Sequence, residues 1–510
     1  MPDGSTLGTV LRRQRSRAGH PLLVCDRERI SYTDAERQSA AVAKGLLALG
    51  AGKGTHVGLL YPNGTEFVIA MLAAARIGAV VVPFSTFLTA PELRGQLAGS
   101  DVVIMLATPS YRSHDYTARL TEALGPESDF TTVLYNEGAP CLRHVILDTT
   151  RLRARGESVD DTFLAAVEDD VHGSDTLAII YTSGSTGAPK GAVHTHAAMI
   201  AHQDNLNAIR RYTADDKLFS NSPFFWVGGF AFGLLATLIS GATLVCSDSA
   251  DAADTLDLLE AEKPNLTNGF AAAITHLTRH PSFGDRDLTA LRRGNLHPLM
   301  APEVRPADPE LRHNMLGMTE AGSVVLICGD DTDQPESRRG SYGRPAPEFD
   351  TKVLRSGELC LRGPYLMQRY YGRSREECFD ADGWFHTGDL VRTDDDGFFY
   401  FVTRAGSMIK TAGANVTPAE VEAAVLKVLG GGAGVHVLGL PDAERGQIVA
   451  AVVALDDVSE FDETTVRHEL RSELSAYKVP KLFVVRRHAD IPLLSSGKVD
   501  MTGLVAMFDV

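Results

Sequence analysis

The chain has 510 residues and a formal net charge of −16 at pH 7, and 44% of its residues are hydrophobic against 22% charged. A negative charge of this size argues against binding to nucleic acid or to an anionic membrane surface. The hydrophobic content excludes an intrinsically disordered chain. No run approaches the roughly 18 consecutive apolar residues that span a bilayer, and no apolar signal segment follows the early basic residues. We therefore expect a soluble, cytoplasmic protein with a large core.

The cysteines are scattered along the chain. There are six of them, without a CxxC pair or a Cys/His cluster. This spacing indicates neither a disulfide framework nor a zinc site. It fits the cytosol, where thiols stay reduced.

Helical and strand patterns alternate in the first half of the chain. A helix is predicted over Glu66–Ile77, followed by a buried strand at residues 79–82. Similar apolar strand patterns recur at Leu177–Tyr181 and Thr243–Cys246, with helical stretches between them. The alternation predicts an α/β fold with mostly parallel sheets covered by helices. In such folds, ligands bind at the carboxyl ends of the strands.

The pattern changes past about Gly340. Short apolar runs punctuated by glycine, at Gly357–Gly363 and Gly397–Val402, predict a small sheet or barrel. We expect this β-rich subdomain to extend over about residues 340–403 and to belong to an amino-terminal domain of residues 1–403.

Residues 404–510 have the pattern of a separate small α+β domain. Thr417 and Glu420 have the spacing of a capping box, with Pro418 at the first helical position, and Gly430 ends the predicted helix. The remaining elements are strands near residues 435–438, 448–454 and 482–485, and a helix with Val466, Leu470 and Leu474 on one face.

The segment most informative about function is the loop from Tyr181 to Gly191, which directly follows an apolar strand. It contains four Ser/Thr hydroxyls, three glycines and one lysine. Glycines let backbone amides approach anionic oxygens, hydroxyls add donors, and a lysine adds charge, so the loop is predicted to bind phosphate. It is not a Walker A loop, because only two residues separate Gly184 from Gly187 and a glycine follows Lys190.

This loop resembles the phosphate-loop signature of the adenylate-forming superfamily, which contains acyl-CoA synthetases, peptide-synthetase adenylation domains and beetle luciferases. Further motifs of that superfamily follow in its order, so the resemblance covers essentially the whole chain and is closest to fatty-acid or carboxylic-acid CoA ligases. These motifs are Gly317–Glu320, Gly340–Pro345, Gly383–Asp389, Arg404–Glu422 and Ser496–Lys498. The resemblance implies a large domain of residues 1–403 and a mobile domain of residues 404–510.

The resemblance also implies a nucleotide site. Asp389 would accept the ribose hydroxyls with help from Arg404, and Glu320 with Thr186 would bind Mg²⁺, a hard cation that prefers oxygen ligands. Leu316 takes a position at which the family often has a tyrosine stacked on adenine. The implied ATP-binding residues are Thr182, Ser183, Gly184, Ser185, Thr186, Gly187, Lys190, Leu316, Gly317, Met318, Thr319, Asp389 and Arg404.

Two lysines match catalytic positions of the family. Lys498 matches the lysine that contacts the acyl carboxylate and the α-phosphate, where a cation stabilises the charge that builds in the transition state. Lys410 would approach the acyl-adenylate after rotation of the small domain. The catalytic set is thus Lys498, Lys410, Glu320 and Thr186. Gly406 takes the hinge position that usually has Asp or Lys, and glycine can absorb a large change in φ and ψ.

The acid pocket is predicted from Trp226, Gly228, Gly229 and Phe230. Trp226 replaces a histidine found in many acyl-CoA synthetases of the family, and its indole would narrow the acyl channel. Residues 222–232 include no acidic side chain to pair with an amino group, which favours an acid with an uncharged tail. The alternative is that Trp226 and Phe230 are ordinary core aromatics.

The sequence therefore predicts an ATP- and Mg²⁺-dependent carboxylic acid–CoA ligase that forms an acyl-adenylate and then a thioester. We expect a small-molecule acid, ATP and CoA as its partners, no nucleic acid or membrane, and a monomer or homodimer. One alternative is an adenylating enzyme with another acceptor, such as a carrier protein or an amine, or with an unusual small acid of a biosynthetic pathway. Another is a non-catalytic nucleotide-binding relative, which the departures at Trp226, Leu316 and Gly406 would fit.

Overall fold

The computed structural model describes residues 4–182, 189–270, 274–404, 408–430, 432–492 and 499–508. They fall into two compact units. The first consists of the described parts of residues 1–86, 97–182 and 191–403, and the second of those of residues 87–96, 183–190 and 404–510. Within the described ranges, no helix combines the length and the apolar character that crossing a membrane requires.

The α-helices are α1 (Leu7–Arg13), α2 (Tyr32–Ala48), α3 (Thr65–Arg76), α4 (Ala90–Ser100), α5 (Tyr116–Leu124), α6 (Thr149–Gly156), α7 (Asp161–Asp169), α8 (His196–Arg210), α9 (Ala236–Ser240), α10 (Ala252–Glu262), α11 (Thr275–Thr278), α12 (Pro418–Leu429), α13 (Glu463–Glu473) and α14 (Met501–Val505). A π-helix (Gly228–Leu235) precedes α9. The strands of the first unit are β1 (Pro21–Cys25), β2 (Glu28–Ser31), β3 (His56–Leu60), β4 (Val80–Pro83), β5 (Ile104–Ala107), β6 (Ser110–Tyr111), β7 (His114–Asp115), β8 (His144–Ile146), β9 (Thr176–Thr182), β10 (Lys190–Thr195), β11 (Lys217–Phe219), β12 (Thr243–Cys246), β13 (Leu266–Thr267), β14 (Arg293–Gly294), β15 (Leu316–Met318), β16 (Ser323–Ile327), β17 (Arg344–Pro345), β18 (Asp350–Val353), β19 (Glu358–Arg362), β20 (Phe385–Thr393) and β21 (Phe399–Arg404). The strands of the second unit are β22 (Ile409–Thr411), β23 (Ala414–Val416), β24 (Gly434–Asp442), β25 (Gly446–Leu455) and β26 (Leu482–Arg487).

Two six-stranded sheets form the larger part of the first unit. One has the order β10-β9-β4-β3-β5-β8, and the other has the order β14-β13-β11-β12-β1-β2. Strands β3, β4, β5, β8 and β9 pair in parallel, and the second sheet is parallel except for the β1–β2 pair. All residues of β4 and β12 are buried, as continuous apolar runs in parallel sheets predict. The predicted α/β class is confirmed.

A β-rich part of the first unit follows these sheets. It contains a three-stranded antiparallel sheet, β15-β16-β17, and a four-stranded sheet, β18-β19-β20-β21. Side chains from both sheets meet in one core, which includes Leu316, Val325, Leu359 and Phe399. The core fixes β15 and β20, two strands that include residues of the predicted nucleotide site.

The second unit has one sheet of order β23-β22-β25-β24, and β26 pairs with β25 in parallel. Helices α12 and α13 pack on it through Val421, Val425, Val466 and Leu470. These elements match the predicted α+β pattern.

The predicted start of α12 is right, but its predicted capping box is wrong. The helix begins at Pro418, yet the Thr417 side chain makes no capping hydrogen bond. The Glu420 carboxylate instead accepts a hydrogen bond from Lys478 Nζ at 2.7 Å. A buried ammonium group attracts the carboxylate more strongly than a backbone amide does.

Candidate active site

Strand β9 contacts the turn Thr319–Ala321, which follows β15. Thr182 is the last residue of β9, and Glu320 lies in the turn that this strand contacts. Thr182 is half-buried, and so is Lys190 at the start of β10. The predicted phosphate-loop residues between them, Ser183, Gly184, Ser185, Thr186 and Gly187, lie outside the described residues.

Gly191, at the end of the predicted loop, has a packing role. A Cβ atom there would lie 2.6 Å from Ile179 Cγ2 and 3.0 Å from the Tyr181 ring. Both distances are shorter than a Cβ contact tolerates, so only glycine lets β10 pass this close to β9. The residue that ends the phosphate motif is therefore needed to position the strand after it.

Glu320 is buried, with 7% of its surface exposed. Its Oε1 accepts a hydrogen bond from the Tyr370 hydroxyl at 2.7 Å, and its carbonyl oxygen accepts one from Met367 N at 2.7 Å. Among the described residues, neither a lysine nor an arginine pairs with this carboxylate. Glu320 thus has a fixed orientation and no protein cation among its described partners.

The segment that includes Tyr370 is fastened to β10. Val193 N donates to Arg369 O at 3.0 Å, and Tyr371 N donates to Gly191 O at 2.7 Å. A backbone bridge also joins Ala192 to Tyr370. Glu320 is therefore oriented, through Tyr370, by the strand that follows the predicted phosphate loop. Tyr370 was not among the predicted site residues, because no local motif marks it.

His194 forms a hydrogen bond with the same turn. Its Nε2 lies 2.7 Å from the carbonyl oxygen of Thr319, so Nε2 is the protonated nitrogen that donates. Burial lowers the pKa of His194 to about 4. At neutral pH the imidazole is uncharged, and it fixes the Glu320 turn without neutralising the carboxylate.

The predicted nucleotide residues Leu316, Gly317 and Met318 form β15. Leu316 is buried in the core of the β-rich part, and Met318 packs on that core. A Cβ atom at Gly317 would lie 3.2 Å from Ser323 O, so a small residue suits the close pairing with β16. The backbone of this strand leads directly into Thr319 and Glu320.

Asp389 lies on β20 and is buried. Its amide donates to Thr387 Oγ1 at 3.0 Å, and Thr387 Oγ1 donates to Leu359 O at 2.7 Å. Burial chiefly, with Glu310 and Asp389 in addition, raises the pKa of Tyr342. Tyr342 belongs to the motif at residues 340–345 but was not among the predicted site residues. The side chain of Arg404 lies outside the described residues.

The predicted acid-pocket residues divide into two kinds. Phe230 is fully buried in the main core, where its ring packs edge-on against Phe67 at 6.4 Å, and a Cβ atom at Gly229 would lie 2.1 Å from Pro223 O. Trp226 is half-buried, and a Cβ atom at Gly228 would meet no atom within 4 Å. Gly228 therefore borders open space, while Phe230 and Gly229 are packing residues.

The catalytic residues predicted in the second unit are only partly described. Lys410 is exposed on β22, and its amide donates to Gln447 Oε1 at 2.8 Å. Lys498 and the hinge residue Gly406 lie outside the described residues.

A buried charged cluster in the second unit was not predicted. Lys478 Nζ donates to Glu92 Oε1 and to Glu420 Oε1, both at 2.7 Å, and Ser475 Oγ donates to Glu92 Oε2 at 2.7 Å. Burial opposes the charge of Lys478, but Tyr477, Glu92 and Glu420 raise its pKa above the ordinary value. The cluster fastens the Phe87–Gln96 segment to the carboxyl-terminal part of the unit.

Comparison with known proteins agrees with these observations. The family model of AMP-binding enzymes matches residues 11–371, and that of the AMP-binding enzyme C-terminal domain matches residues 420–498. The chain therefore belongs to the AMP-binding enzyme family, the adenylate-forming superfamily that its motifs resemble.

Individual relatives match along nearly the whole chain. A feruloyl-CoA synthase from Amycolatopsis sp. is 30% identical over 492 residues, which cover 92% of this chain and 92% of that protein. A long-chain-fatty-acid–CoA ligase from Mycobacterium tuberculosis is 30% identical over 493 residues, which cover 93% of this chain and 92% of that protein. The solved structure of a Mycobacterium tuberculosis fatty acyl CoA synthetase matches with a TM-score of 0.64 and 26% identity, and covers 99% of this chain and 98% of that one.

Proposed function

We propose that this protein is an ATP-dependent carboxylic acid–CoA ligase. The observation that carries the proposal is Glu320, a buried carboxylate that Tyr370 orients, in a turn that β9 contacts, and that has no cation among its described partners. A site that binds a nucleotide with its metal needs a negative group of this kind, fixed before the ligand arrives. The relatives named for CoA ligation support the same reaction.

The donor chemistry at Glu320 fits Mg²⁺. Tyr370 occupies only Oε1, so Oε2 is available as a hard oxygen ligand, which is the type Mg²⁺ prefers beside phosphate oxygens. We place Glu320 and, by resemblance, Thr186 in this role. When bound with ATP, the metal would supply positive charge at the phosphate oxygens.

The first half-reaction joins the acid to AMP. A carboxylate oxygen of the acid attacks the α-phosphorus of ATP, the bond to the β-phosphate breaks, and pyrophosphate leaves. Asp389 would accept the ribose hydroxyls, and the residues of β15 would line the base. Lys498 would stabilise the charge that builds on the α-phosphate oxygens.

The second half-reaction transfers the acyl group to CoA. The CoA sulfur attacks the acyl carbonyl carbon, AMP leaves, and the thiol proton passes to solvent. We propose that residues 404–510 form a mobile domain that turns about Gly406, so that Lys410 replaces Lys498 beside the acyl-adenylate. Two arrangements are needed because one site cannot exclude water for the first step and admit a thiol for the second.

We propose an acid with an uncharged tail as the substrate, with Trp226 at the rim of its channel. Gly228 borders open space, and residues 222–232 include no acidic side chain. An ammonium group on the tail would therefore find no partner from this segment.

The test is pyrophosphate release with Mg·ATP against a panel of aliphatic and aryl acids, with and without CoA, while thioester is followed by mass. We expect one class of acid to give both pyrophosphate and CoA-dependent thioester. Pyrophosphate release without any CoA-dependent thioester would contradict CoA as the acceptor. No pyrophosphate with any acid would favour a non-catalytic nucleotide-binding protein.

Two lysine variants separate the half-reactions. Lys498→Ala should abolish pyrophosphate release, whereas Lys410→Ala should preserve it and slow thioester formation. Lys427→Ala is the matched control, because Lys427 is an exposed lysine of the same unit that pairs with Glu473. Equal losses in both half-reactions for all three variants would contradict the division of roles. Light scattering with and without ATP would show whether the active form is a monomer or a homodimer.

A further inference from the structure

Antiparallel pairing places three chemically different donors together on β19 and β20, outside the nucleotide site. Cys360 lies directly opposite His386 in the strand register. Glu358 precedes Cys360 by two residues, so both side chains project from the same face of β19. The register shifts between Glu358 and Cys360, and such a bulge redirects a side chain relative to its neighbours.

The donor atoms converge on one nitrogen of His386. Cys360 Sγ lies 3.6 Å from His386 Nδ1, and Glu358 Oε2 lies 3.4 Å from the same nitrogen. Ligand atoms of all three residues lie within 4.8 Å of one another. A tetrahedral ion with bonds of about 2.3 Å to sulfur and about 2.0 Å to nitrogen and oxygen separates its ligands by roughly 3.3–3.6 Å. Two of the three separations therefore already have the size that such an ion requires.

Neighbouring hydrogen bonds leave the converging atoms available. His386 Nε2 faces Asp380 Oδ2 at 3.3 Å, so the ring can keep its proton on Nε2 and present Nδ1 as an acceptor. Glu358 Oε1 accepts a hydrogen bond from Gly388 N at 3.0 Å, which leaves Oε2 facing His386. A carboxylate on the second nitrogen is the usual support of a metal-bound histidine.

Burial and charge also suit a metal ion. Cys360 is fully buried, whereas the His386 side chain is 44% exposed, so the cluster has a closed side and an open side toward water. Lys352, which pairs with Cys360 in the register, lies with its Nζ over the Trp384 ring at 4.6 Å. The Arg362 guanidinium lies over the same ring at 4.5 Å, whereas the carboxylates of Glu358 and Asp380 lie against His386 itself.

We propose that Glu358, Cys360 and His386 bind a divalent transition-metal ion of the Zn²⁺ type, with water as the fourth ligand. Sulfur and imidazole donors favour such an ion over Mg²⁺. Binding converts the Cys360 thiol to a metal-bound thiolate and releases its proton to solvent. Because Glu358 also holds Gly388, the residue before Asp389, an ion here would fasten the strand that includes Asp389.

The experiment is a titration of the full-length protein with Co²⁺ in excess Mg²⁺, followed by absorbance. Co²⁺ adopts the zinc geometry, and a cobalt–thiolate bond gives a charge-transfer band in the near ultraviolet. We expect this band to saturate at one Co²⁺ per chain and to be reversed by Zn²⁺. It should disappear in Cys360→Ser, and His386→Gln should weaken binding at least tenfold. Asp380→Asn should weaken binding by about 10- to 100-fold while the band is retained at saturation.

Cys378→Ser is the matched control, because Cys378 is a free cysteine of the same unit outside the cluster. It should bind Co²⁺ as the unaltered protein does. The circular dichroism spectrum of each variant is compared with that of the unaltered protein before titration. His386→Gln should disturb the fold least, because His386 is at an exposed position. Absence of the band, or a band that persists in Cys360→Ser or is lost in Cys378→Ser, would overturn the proposal. None of these results depends on acid–CoA ligase activity.

Discussion

Glu320 in the first unit and the Glu92–Lys478–Glu420 cluster in the second show two ways of burying a carboxylate. Glu320 accepts a hydrogen bond from the neutral Tyr370 hydroxyl, and the nearby His194 is uncharged at neutral pH. Glu92 and Glu420 instead share the ammonium group of Lys478. The first arrangement leaves a carboxylate without a protein cation among its described partners, and the second bonds both of its carboxylates to one ammonium group.

The difference separates a binding role from a structural one. A buried ion pair costs a large free energy to break, but its charges already have partners and are not available to a ligand. A buried carboxylate with only a neutral partner costs stability unless a ligand later neutralises it. Substitutions can test whether Glu320 and the Glu92–Lys478–Glu420 cluster differ in this way.

The largest effect is expected from Lys478→Met. The substitution leaves Glu92 and Glu420 buried without their cation, and breaking a buried pair in this way costs about 3–5 kcal/mol of stability. Urea unfolding of the full chain measures the loss. Lys427→Met is the control, because Lys427 is 67% exposed in its pair with Glu473 and should cost at most about 1 kcal/mol. Equal losses for the two lysines would refute a structural role for the buried cluster.

Glu320→Gln should reduce pyrophosphate release by about 10²- to 10³-fold, the scale for removing one electrostatic contact to a transition state. The melting temperature should not fall, because the amide oxygen can still accept the Tyr370 hydrogen bond and a buried charge is removed. Glu336→Gln, which alters an exposed carboxylate paired with Arg339, should leave the rate unchanged. A rate for Glu320→Gln within threefold of the unaltered protein would show that the carboxylate is only structural.

Stability should fall as the pH drops from about 6.5 to about 4. His194 has a folded-state pKa of about 4 because it is buried, so the unfolded chain takes up a proton first in this window. The stabilisation is fully present above pH 6.5, and its loss is on the order of 3 kcal/mol. Urea unfolding at pH 7, 5.5 and 4.5 measures it.

His194→Gln should make this pH dependence shallower, although the buried His196 still contributes to it. His276→Gln, at an exposed position, should leave the dependence unchanged. An unaltered slope in His194→Gln would mean that His194 is not the group that titrates.

The smallest effect is expected from Tyr370→Phe. It removes the hydroxyl that orients Glu320, and a hydrogen bond to a charged group is worth about 1.5–3 kcal/mol, of which a rotating carboxylate can recover part. We expect a three- to tenfold lower rate of pyrophosphate release and a higher Mg²⁺ requirement. Wild-type rates at every Mg²⁺ concentration would show that Glu320 needs no orientation.

The local pattern of apolar residues predicted helices and strands well where one face or both faces of the element are buried. The strand predicted at residues 79–82 is found one residue later, as β4 (Val80–Pro83), and the strand predicted at Thr243–Cys246 is β12. The helix predicted to begin at Pro418 does so, because proline has no amide to pair there. The capping box failed at Glu420 because its partner, Lys478, lies 58 residues along the chain.

The sequence by itself determined the fold class, the family and the positions of the motifs, because these depend on periodicity and on short runs of residues. Only the tertiary structure decided which side chains meet. Tyr370 reaches Glu320 across 50 residues, and Cys360 reaches His386 across 26. Strand register and burial bring such pairs together, and neither leaves a mark in the local spacing of the sequence.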